Sequence, residues 1–384
     1  MRVFATALAG VMFAGAAVAA DPDLPRSMVW TAYDLGSSGH AEATGIANAF
    51  RKNYGTRVRI IPSGTSIGRM LPMVTGKAKY GYLANEAFFA AEGTYDFSAE
   101  QWGPQDIRIV MGRVAGVGMA VAADTGVKSM ADLKGKRVGF VKGNPSVNVK
   151  NLAYLAMGGL TIDDVDAVWF GSYSAMVTAT LAGQLDAFGS VTTSGNMRQL
   201  EASPRGLVWP PFPPENKDGW KAVTDVVSFA APMKVTRGAG VSEENPVWLM
   251  GYRYPMITVY NNATNTDEVY NMIKALDESF SDYEKTTASS FNWSLEKAGR
   301  PPYDAPAHDG TIRYMKEKGL WRDEDQAWHD TRLARLNTVI EAWGVAQADF
   351  HDYRAAERAK GNKIKASDEW PEYWEKARVA AVGN

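Results

Sequence analysis

Short apolar runs alternate with stretches of helical spacing along most of the 384-residue chain. Residues 28–33 and 57–61 are predicted strands, and each is followed by a loop of small polar residues and then by a helix. Further strands are predicted at residues 80–84, 107–113, 138–141, 167–170, 187–191, 207–209 and 247–260. Strands and helices that alternate in this way form parallel sheets with helices on both faces. The pattern therefore predicts an α/β fold.

Residues 129–146 show how a strand and the helix that follows it are connected. Ser129–Leu133 begins with a capping-box pattern and is predicted to be a short helix. Lys136–Val141 follows as a strand, and the turn Gly143–Pro145 delivers the chain into a helix that opens at Ser146. A strand that feeds a helix through such a turn presents free backbone N–H groups to an anion. A nucleotide-binding Walker A loop is excluded because the turn lacks the second Gly and the Lys-Ser/Thr step.

Two local features predict interruptions in the regular pattern. Pro72 falls inside a predicted helix, where its ring removes a backbone donor and crowds the previous turn, so this helix should be weak or short. Gly112 near the end of the strand at 107–113, and Gly116 and Gly118 after it, indicate a crossover of the chain.

Length and composition limit the classes of protein. At 384 residues the chain exceeds one ordinary core, so two lobes or domains are expected. A content of 46% hydrophobic and 22% charged residues is typical of a globular protein. The net charge of −2 gives no basis for a nucleic-acid partner. The sequence contains no cysteine, which excludes disulfides, thiolate catalysis and Cys-ligated zinc.

The N-terminal segment has the pattern of a secretory signal peptide. Arg2 precedes an apolar stretch, and small residues suited to cleavage stand directly before Asp21. Ala and Gly dominate the apolar stretch, which favours cleavage over retention as a membrane anchor. Residues 1–20 are therefore predicted to be removed on export, and the cysteine-free mature chain suits a bacterial periplasm.

The C-terminal segment is charged and rich in tryptophan, with helical spacing at residues 333–343 and 370–380. Amphipathic terminal helices usually complete a core, so helices packed on the outside of a lobe are favoured over a dimer or transporter contact. The predicted organisation is a signal peptide at 1–20, the first part of lobe I at 21–115, lobe II at 116–229, the return segment of lobe I at 230–320 and a helical C-terminal extension at 321–384.

Residues typical of catalysis or metal binding are scattered. Of the four histidines, only His40 has a second potential metal ligand nearby, Glu42, and no third ligand is recognisable. No Gly-x-Ser-x-Gly nucleophile motif is present. The sequence therefore predicts no catalytic residue, no metal and no cofactor.

Small polar loops recur at the predicted strand ends instead. In an open α/β sheet such loops meet at the carboxyl ends of the strands, where ligands bind. A single loop of this kind is ordinary turn and capping chemistry, but four loops spread over two lobes favour a cleft. The candidate ligand-binding residues are Tyr33, Ser37, Ser38, Ser63, Gly64, Thr65, Asn144, Ser146, Asn148, Ser190, Thr192 and Thr193.

Four motifs occur in a fixed order: Leu133–Val138, the Gly-x-Pro-Ser turn at 143–146, Gly158–Asp164 and Leu181–Ala187. Their order and spacing resemble the TAXI solute receptors, the periplasmic binding subunits of TRAP transporters. The resemblance extends from about residue 30 to residue 319. It implies a two-lobed type II periplasmic binding protein fold, with a mainly parallel sheet flanked by helices in each lobe.

The resemblance also implies a ligand and its contacts. TAXI receptors hold small organic anions such as glutamate between their lobes. Ser63 and Thr65 match the family's Gly-Gly-Ser loop, and Ser146 matches its Gly-x-x-Ser-Gly-Thr turn. At the first loop this chain has Leu35–Ala41 where the family usually shows Gly-Gly-Thr-Tyr-Tyr, so the resemblance leaves open whether glutamate itself is bound.

The expected function is a periplasmic receptor that captures a small organic anion and passes it to the membrane subunits of a TRAP transporter. Two alternatives stay open at this point. The same scaffold also carries enzymes, since fold does not fix function. A receptor that reports to a signalling partner would use the same ligand chemistry.

Overall fold

The computed structural model describes residues 21–383, so the predicted signal peptide at 1–20 lies outside the described residues. The strands are β1 (Ser27–Tyr33), β2 (Arg57–Ser63), β3 (Tyr80–Leu83), β4 (Ile107–Ala122), β5 (Arg137–Val141), β6 (Asp166–Phe170), β7 (Ala187–Val191), β8 (Leu207–Val208), β9 (Ala231–Val235) and β10 (Val247–Tyr260). The helices are α1 (Ser38–Tyr54), α2 (Ser66–Val74), α3 (Glu86–Glu92), α4 (Pro145–Met157), α5 (Tyr173–Leu181), α6 (Gly195–Ala202), α7 (Lys217–Val226), α8 (Thr266–Glu278), α9 (Phe280–Tyr283), α10 (Leu295–Ala298), α11 (Asp309–Glu317), α12 (Asp323–Ala359) and α13 (Ala366–Val382).

The strands form one sheet with the order β2-β1-β3-β10-β4-β7-β5-β6, with β8 and β9 paired to β4 and β10. β1, β2 and β3 are parallel at one end, and β5, β6 and β7 are parallel at the other. The two long strands β4 and β10 run antiparallel between these ends and connect them. The predicted α/β fold is therefore confirmed, with one lobe at each end of the sheet.

Strand β4 corrects the predicted end of this strand at residue 113, because it continues without a break to Ala122. Its glycines instead allow neighbouring side chains to approach the strand closely. A Cβ on Gly112 would lie 2.5 Å from Met256 Cγ, and one on Gly116 would collide with Val235. The glycines mark where β4 passes under other side chains as it crosses between the lobes.

Capping and burial explain why the first helices form where they do. Ser37 caps α1 by accepting a hydrogen bond from the His40 backbone N–H at 3.2 Å, and Ile46 and Phe50 on the buried face carry no exposed area. Pro72 lies inside α2, which is only nine residues long, as its ring chemistry predicts. The capping box of Ser129 with Asp132 is also present, on a 3₁₀ turn.

Helix α4 begins one residue earlier than expected. Asn144 is its N-cap and Pro145 its first residue, a position where the missing backbone N–H of proline costs no hydrogen bond. Ser146 therefore lies within the first turn, and Lys150 lies one turn further along the same helix.

The C-terminal extension consists of the 37-residue α12 and the 17-residue α13, which pack on each other. Their shared core contains Val339, Phe350, Trp370 and Trp374. The two indoles also donate to lobe I, from Trp374 to the carbonyl of Gly93 at 2.6 Å and from Trp370 to the carbonyl of Ser98 at 2.8 Å. The extension thus lies against the outside of lobe I. Among the described residues, we find no helix that combines the length and apolarity needed to cross a membrane.

Candidate functional site

A cavity lies between the lobes, at the carboxyl ends of β1, β2 and β7 and beside the first turns of α2 and α4. It encloses about 590 Å³ of empty space, counted with its mouth. Seven of the residues proposed from sequence line it: Tyr33, Ser37, Ser63, Gly64, Asn144, Ser146 and Ser190.

The other five proposed residues do not line this cavity. Thr65 caps α2 by accepting from the Gly68 backbone N–H at 3.0 Å. The Asn148 amide bonds to both backbone groups of Val141, at 2.8 and 2.9 Å. Ser38 is buried in the first turn of α1. Thr192 and Thr193 line a neighbouring cavity that also contains Arg113.

The loops from the two lobes touch each other at the cavity. The Asn144 amide donates to the carbonyl of Gly64 at 3.1 Å and accepts from the Ser66 hydroxyl at 2.8 Å. The backbone N–H of Tyr173 donates to the same Gly64 carbonyl at 3.2 Å. A Cβ on Gly64 would lie 3.0 Å from Ser172 Cβ and 3.1 Å from the Tyr173 backbone nitrogen, both in the other lobe. Glycine at this position lets the lobes close on one another, and Asn144 links them.

Tyrosines form much of the cavity wall. Tyr252 and Tyr254 stand two residues apart on β10 and therefore face the same side of the sheet. Tyr254 meets the ring of Tyr33 edge to face, with 5.1 Å between the ring centres. Tyr173 donates from its hydroxyl to Ser190 Oγ at 2.7 Å. In the described chain the buried hydroxyl of Tyr33 has no hydrogen-bond partner, and burial raises its pKa well above the usual range.

Arg69 is the first of two cations in the cavity, and its hydrogen bonds go to the protein itself. Its Nε donates to Glu86 at 2.8 Å, Nη1 to the Ser63 carbonyl at 3.1 Å and Nη2 to the Ser66 hydroxyl at 3.4 Å. The guanidinium lies over the ring of Tyr33, 4.2 Å from its centre. Arg69 is only 2% exposed, and its charge is balanced by Glu86.

Lys150 is the second cation, and within residues 21–383 it forms no ion pair. Its ammonium donates to Ser146 Oγ at 3.0 Å and Asn85 Oδ1 at 3.1 Å, which uses two of its three donors. It also lies 4.7 Å from the ring centre of Tyr252. Burial lowers the pKa of Lys150 to about 7, against the raising effect of Glu86 and Asp304. Near neutral pH the ammonium and the neutral amine are therefore both populated, and an anionic ligand would stabilise the charged form.

The polar network continues behind Lys150. Asn85 donates from its amide nitrogen to Asp304 Oδ2 at 2.8 Å while its oxygen accepts from Lys150. Burial raises the pKa of Asp304 to about 7, with the Asn85 hydrogen bond acting in the opposite direction. Asn85 thus joins two groups that both titrate close to neutral pH.

Sequence reasoning missed the cations and the β10 tyrosines. The available signal was helical spacing, because Lys150 lies four residues after Ser146 and Arg69 four residues after Thr65. Each cation therefore shares a helix face with a loop residue that was proposed. In the described part of the chain, no group of three or more His, Asp or Glu residues is arranged to hold a metal ion.

Fold and cavity together define a two-lobed α/β protein with an interlobe site. The chain belongs to the NMT1-like family, whose sequence profile matches residues 38–319. No curated protein matches the chain. The finer resemblance to TAXI receptors stays a prediction.

Several solved structures are similar at low identity. The periplasmic aliphatic sulphonate binding protein SsuA from Escherichia coli is 16% identical with a TM-score of 0.38, over 68% of this chain and 75% of that one. An ancestral arginine-binding protein bound to arginine is 15% identical with a TM-score of 0.42, and the match covers 69% of this chain and 97% of that chain. A periplasmic binding protein of an ABC transporter from Brucella ovis, with glutathione bound, is 14% identical with a TM-score of 0.40, and the match covers 66% of this chain and 68% of that chain.

Proposed function

We propose that the protein is a periplasmic solute-binding protein that captures a small organic anion, a carboxylate or an amino acid such as glutamate, between its lobes. The observation that carries this proposal is Lys150, a buried cation at the cavity that makes no ion pair among residues 21–383. A buried charge needs a partner, and a carboxylate would supply one.

The groups around Lys150 suit a carboxylate. Ser146 accepts from Lys150 and keeps its own hydroxyl proton for a ligand oxygen. The Tyr33 hydroxyl supplies a further donor, since it has no partner among the described residues. The tyrosine wall would pack against the carbon skeleton of the ligand and exclude water. These contacts bind and orient a molecule, and the proposed role includes no catalytic step.

Delivery to TRAP transporter membrane subunits is part of the proposal. It is supported by the sequence resemblance to TAXI receptors and by the signal-peptide pattern of the first twenty residues. The contacts of Asn144 and Gly64 between the lobes supply a closed state that a membrane partner can recognise.

A thermal-shift panel of organic acids, amino acids, nucleotides and metal ions tests the proposed ligand class. A carboxylate at 100 times its Kd stabilises the folded state by about 2.7 kcal/mol, which gives a clear rise in melting temperature. Nucleotides and metal ions are expected to give no shift. A broad carboxylate panel without any shift, or a shift with cationic compounds only, would contradict the proposal.

The affinity for the carboxylate is expected to fall as the pH rises above about 7. Lys150 has a pKa of about 7 in the empty cavity, and a bound carboxylate raises this pKa. Below pH 7 the lysine is charged in both states and affinity is at its maximum. At higher pH binding must take up a proton, so Kd rises by up to about tenfold per pH unit until the pKa of the complex is reached. A negative ligand also raises the pKa of Asp304, which acts in the same direction.

Calorimetric titration between about pH 6 and 8.5, in buffers of different ionisation enthalpy, measures both the affinity and the proton uptake. The expected result is net proton uptake above pH 7. An affinity that stays constant or increases over this range would show that Lys150 does not carry the binding.

A further inference from the structure

Helix α3 connects the cavity to the C-terminal extension. Just before it begins, Asn85 accepts from Lys150 at 3.1 Å, and Glu86 in its first turn pairs with Arg69 at 2.8 Å. Its last residue, Glu92, is only 3% exposed. A seven-residue helix is only about 10 Å long, so a displacement at one end reaches the other.

Three arginines of the extension surround the Glu92 carboxylate. Arg335 binds both of its oxygens, each at 2.9 Å. Arg332 lies 3.1 Å and Arg378 3.6 Å from the same carboxylate. A buried carboxylate is tolerated only when it is well paired, and all three of these arginines come from residues 321–384. The C-terminal end of α3 is therefore held by α12 and α13.

A second contact reaches Asn85 by a different route. Arg332 donates from Nη2 to the backbone carbonyl of Asp304 at 2.8 Å, while its Nη1 pairs with Glu92. The Asp304 carboxylate in turn accepts from the Asn85 amide nitrogen at 2.8 Å. The extension thus holds both the helix that follows Asn85 and the residue that orients its amide.

We infer that the C-terminal extension positions Lys150 in the ligand cavity, with Arg332 and Arg335 acting through Glu92, Asp304 and Asn85. The inference rests on the proposed function, in which Lys150 binds the anion. The extension then does more than pack on lobe I, because its arginines fix the orientation in which the Asn85 oxygen accepts from the Lys150 ammonium. A purely covering role predicts a change in stability and no change at Lys150.

The titration of Lys150 in the ligand-free, full-length mature chain tests this inference. Lysine labelled with ¹³C at Cε reports each ammonium by NMR, and loss of one signal in Lys150→Met assigns it. Arg335→Lys and Arg332→Lys keep the positive charge but lose the two-pronged contacts of the guanidinium, and each is expected to lower the Lys150 midpoint by about one pH unit, because the Asn85 oxygen no longer stabilises the charged form. Gln at either position also removes a cation, which by itself raises the midpoint, so the charge-keeping variants carry the test.

Phe350→Leu is the matched control, since Phe350 packs on Trp370 between α12 and α13 and does not contact Glu92. It should lower the melting temperature and leave the Lys150 midpoint unchanged. Folded arginine variants with a wild-type midpoint, or an equal shift in Phe350→Leu, would overturn the inference. No ligand is used, so the result is independent of the carboxylate panel, whose failure would instead overturn the proposed function.

Discussion

Replacing Lys150 by Met is expected to weaken carboxylate binding by about thirtyfold to a few thousandfold. Truncating one partner of a buried, hydrogen-bonded charge pair costs about 2–5 kcal/mol of binding free energy, which corresponds to this range. Methionine keeps much of the length and apolar contact of the lysine stem. The loss would therefore report the ammonium and its charge.

The same substitution is expected to leave the melting temperature unchanged or to raise it. Burial lowers the pKa of Lys150, so the ligand-free protein carries a desolvation cost that the variant lacks. Calorimetric titration and thermal melts at pH 6.5, about half a unit below the pKa of Lys150, measure the two effects on one sample. Lys142→Met is the control, because Lys142 is exposed in the same lobe and does not line the cavity. If Lys150→Met kept the wild-type affinity, Lys150 would not contact the bound carboxylate.

Replacing Arg69 by Met is expected to lower the free energy of unfolding by about 3–5 kcal/mol. Arg69 and Glu86 are 2% and 0% exposed, and loss of the arginine leaves a buried carboxylate without its counter-charge. The guanidinium also holds the Ser63 carbonyl and stacks on Tyr33, so the cavity wall should loosen as well.

The double variant Arg69→Met with Glu86→Gln removes both charges and should recover a large part of this loss. Urea unfolding followed by circular dichroism gives the free energies. The exposed pair of Lys221 with Asp225 is the comparison, since both side chains are more than 60% exposed, at 74% and 62%. Lys221→Met should cost no more than about 0.5 kcal/mol. Equal losses at the buried and exposed pairs would contradict this account.

Local patterns predicted most of the fold because each element carries its own signal. β1, β2, α1 and β10 lie within a few residues of their predicted positions, where burial follows the period of a strand or a helix. β9 was missed because its residues are mostly exposed and show no apolar alternation. Within the extension predicted to be helical, apolar spacing marked only 333–343 of the 37-residue α12, since only parts of that helix pack against a core.

The candidate site was predicted in part: its loop residues were predicted from the sequence and its buried charges were not, for a physical reason. Loop residues such as Ser63 and Ser146 follow strands, so the geometry of a parallel sheet brings them together. The pairing of Lys150 with Asn85 joins residues 65 positions apart, and that of Asn85 with Asp304 joins residues 219 apart. No local pattern encodes which side chains meet across such separations. The burial and the partners of these charges were therefore visible only once the lobes were assembled.

A crystal structure with the carboxylate that gives the largest thermal shift tests the central claim most directly. We expect the carboxylate to lie between the lobes, with an oxygen about 3 Å from Lys150 Nζ and within hydrogen-bond reach of Ser146. The loops of Gly64 and Asn144 are expected to stay in contact over the ligand. A carboxylate bound in another cavity, or bound between the lobes away from Lys150, would contradict the assignment of this site.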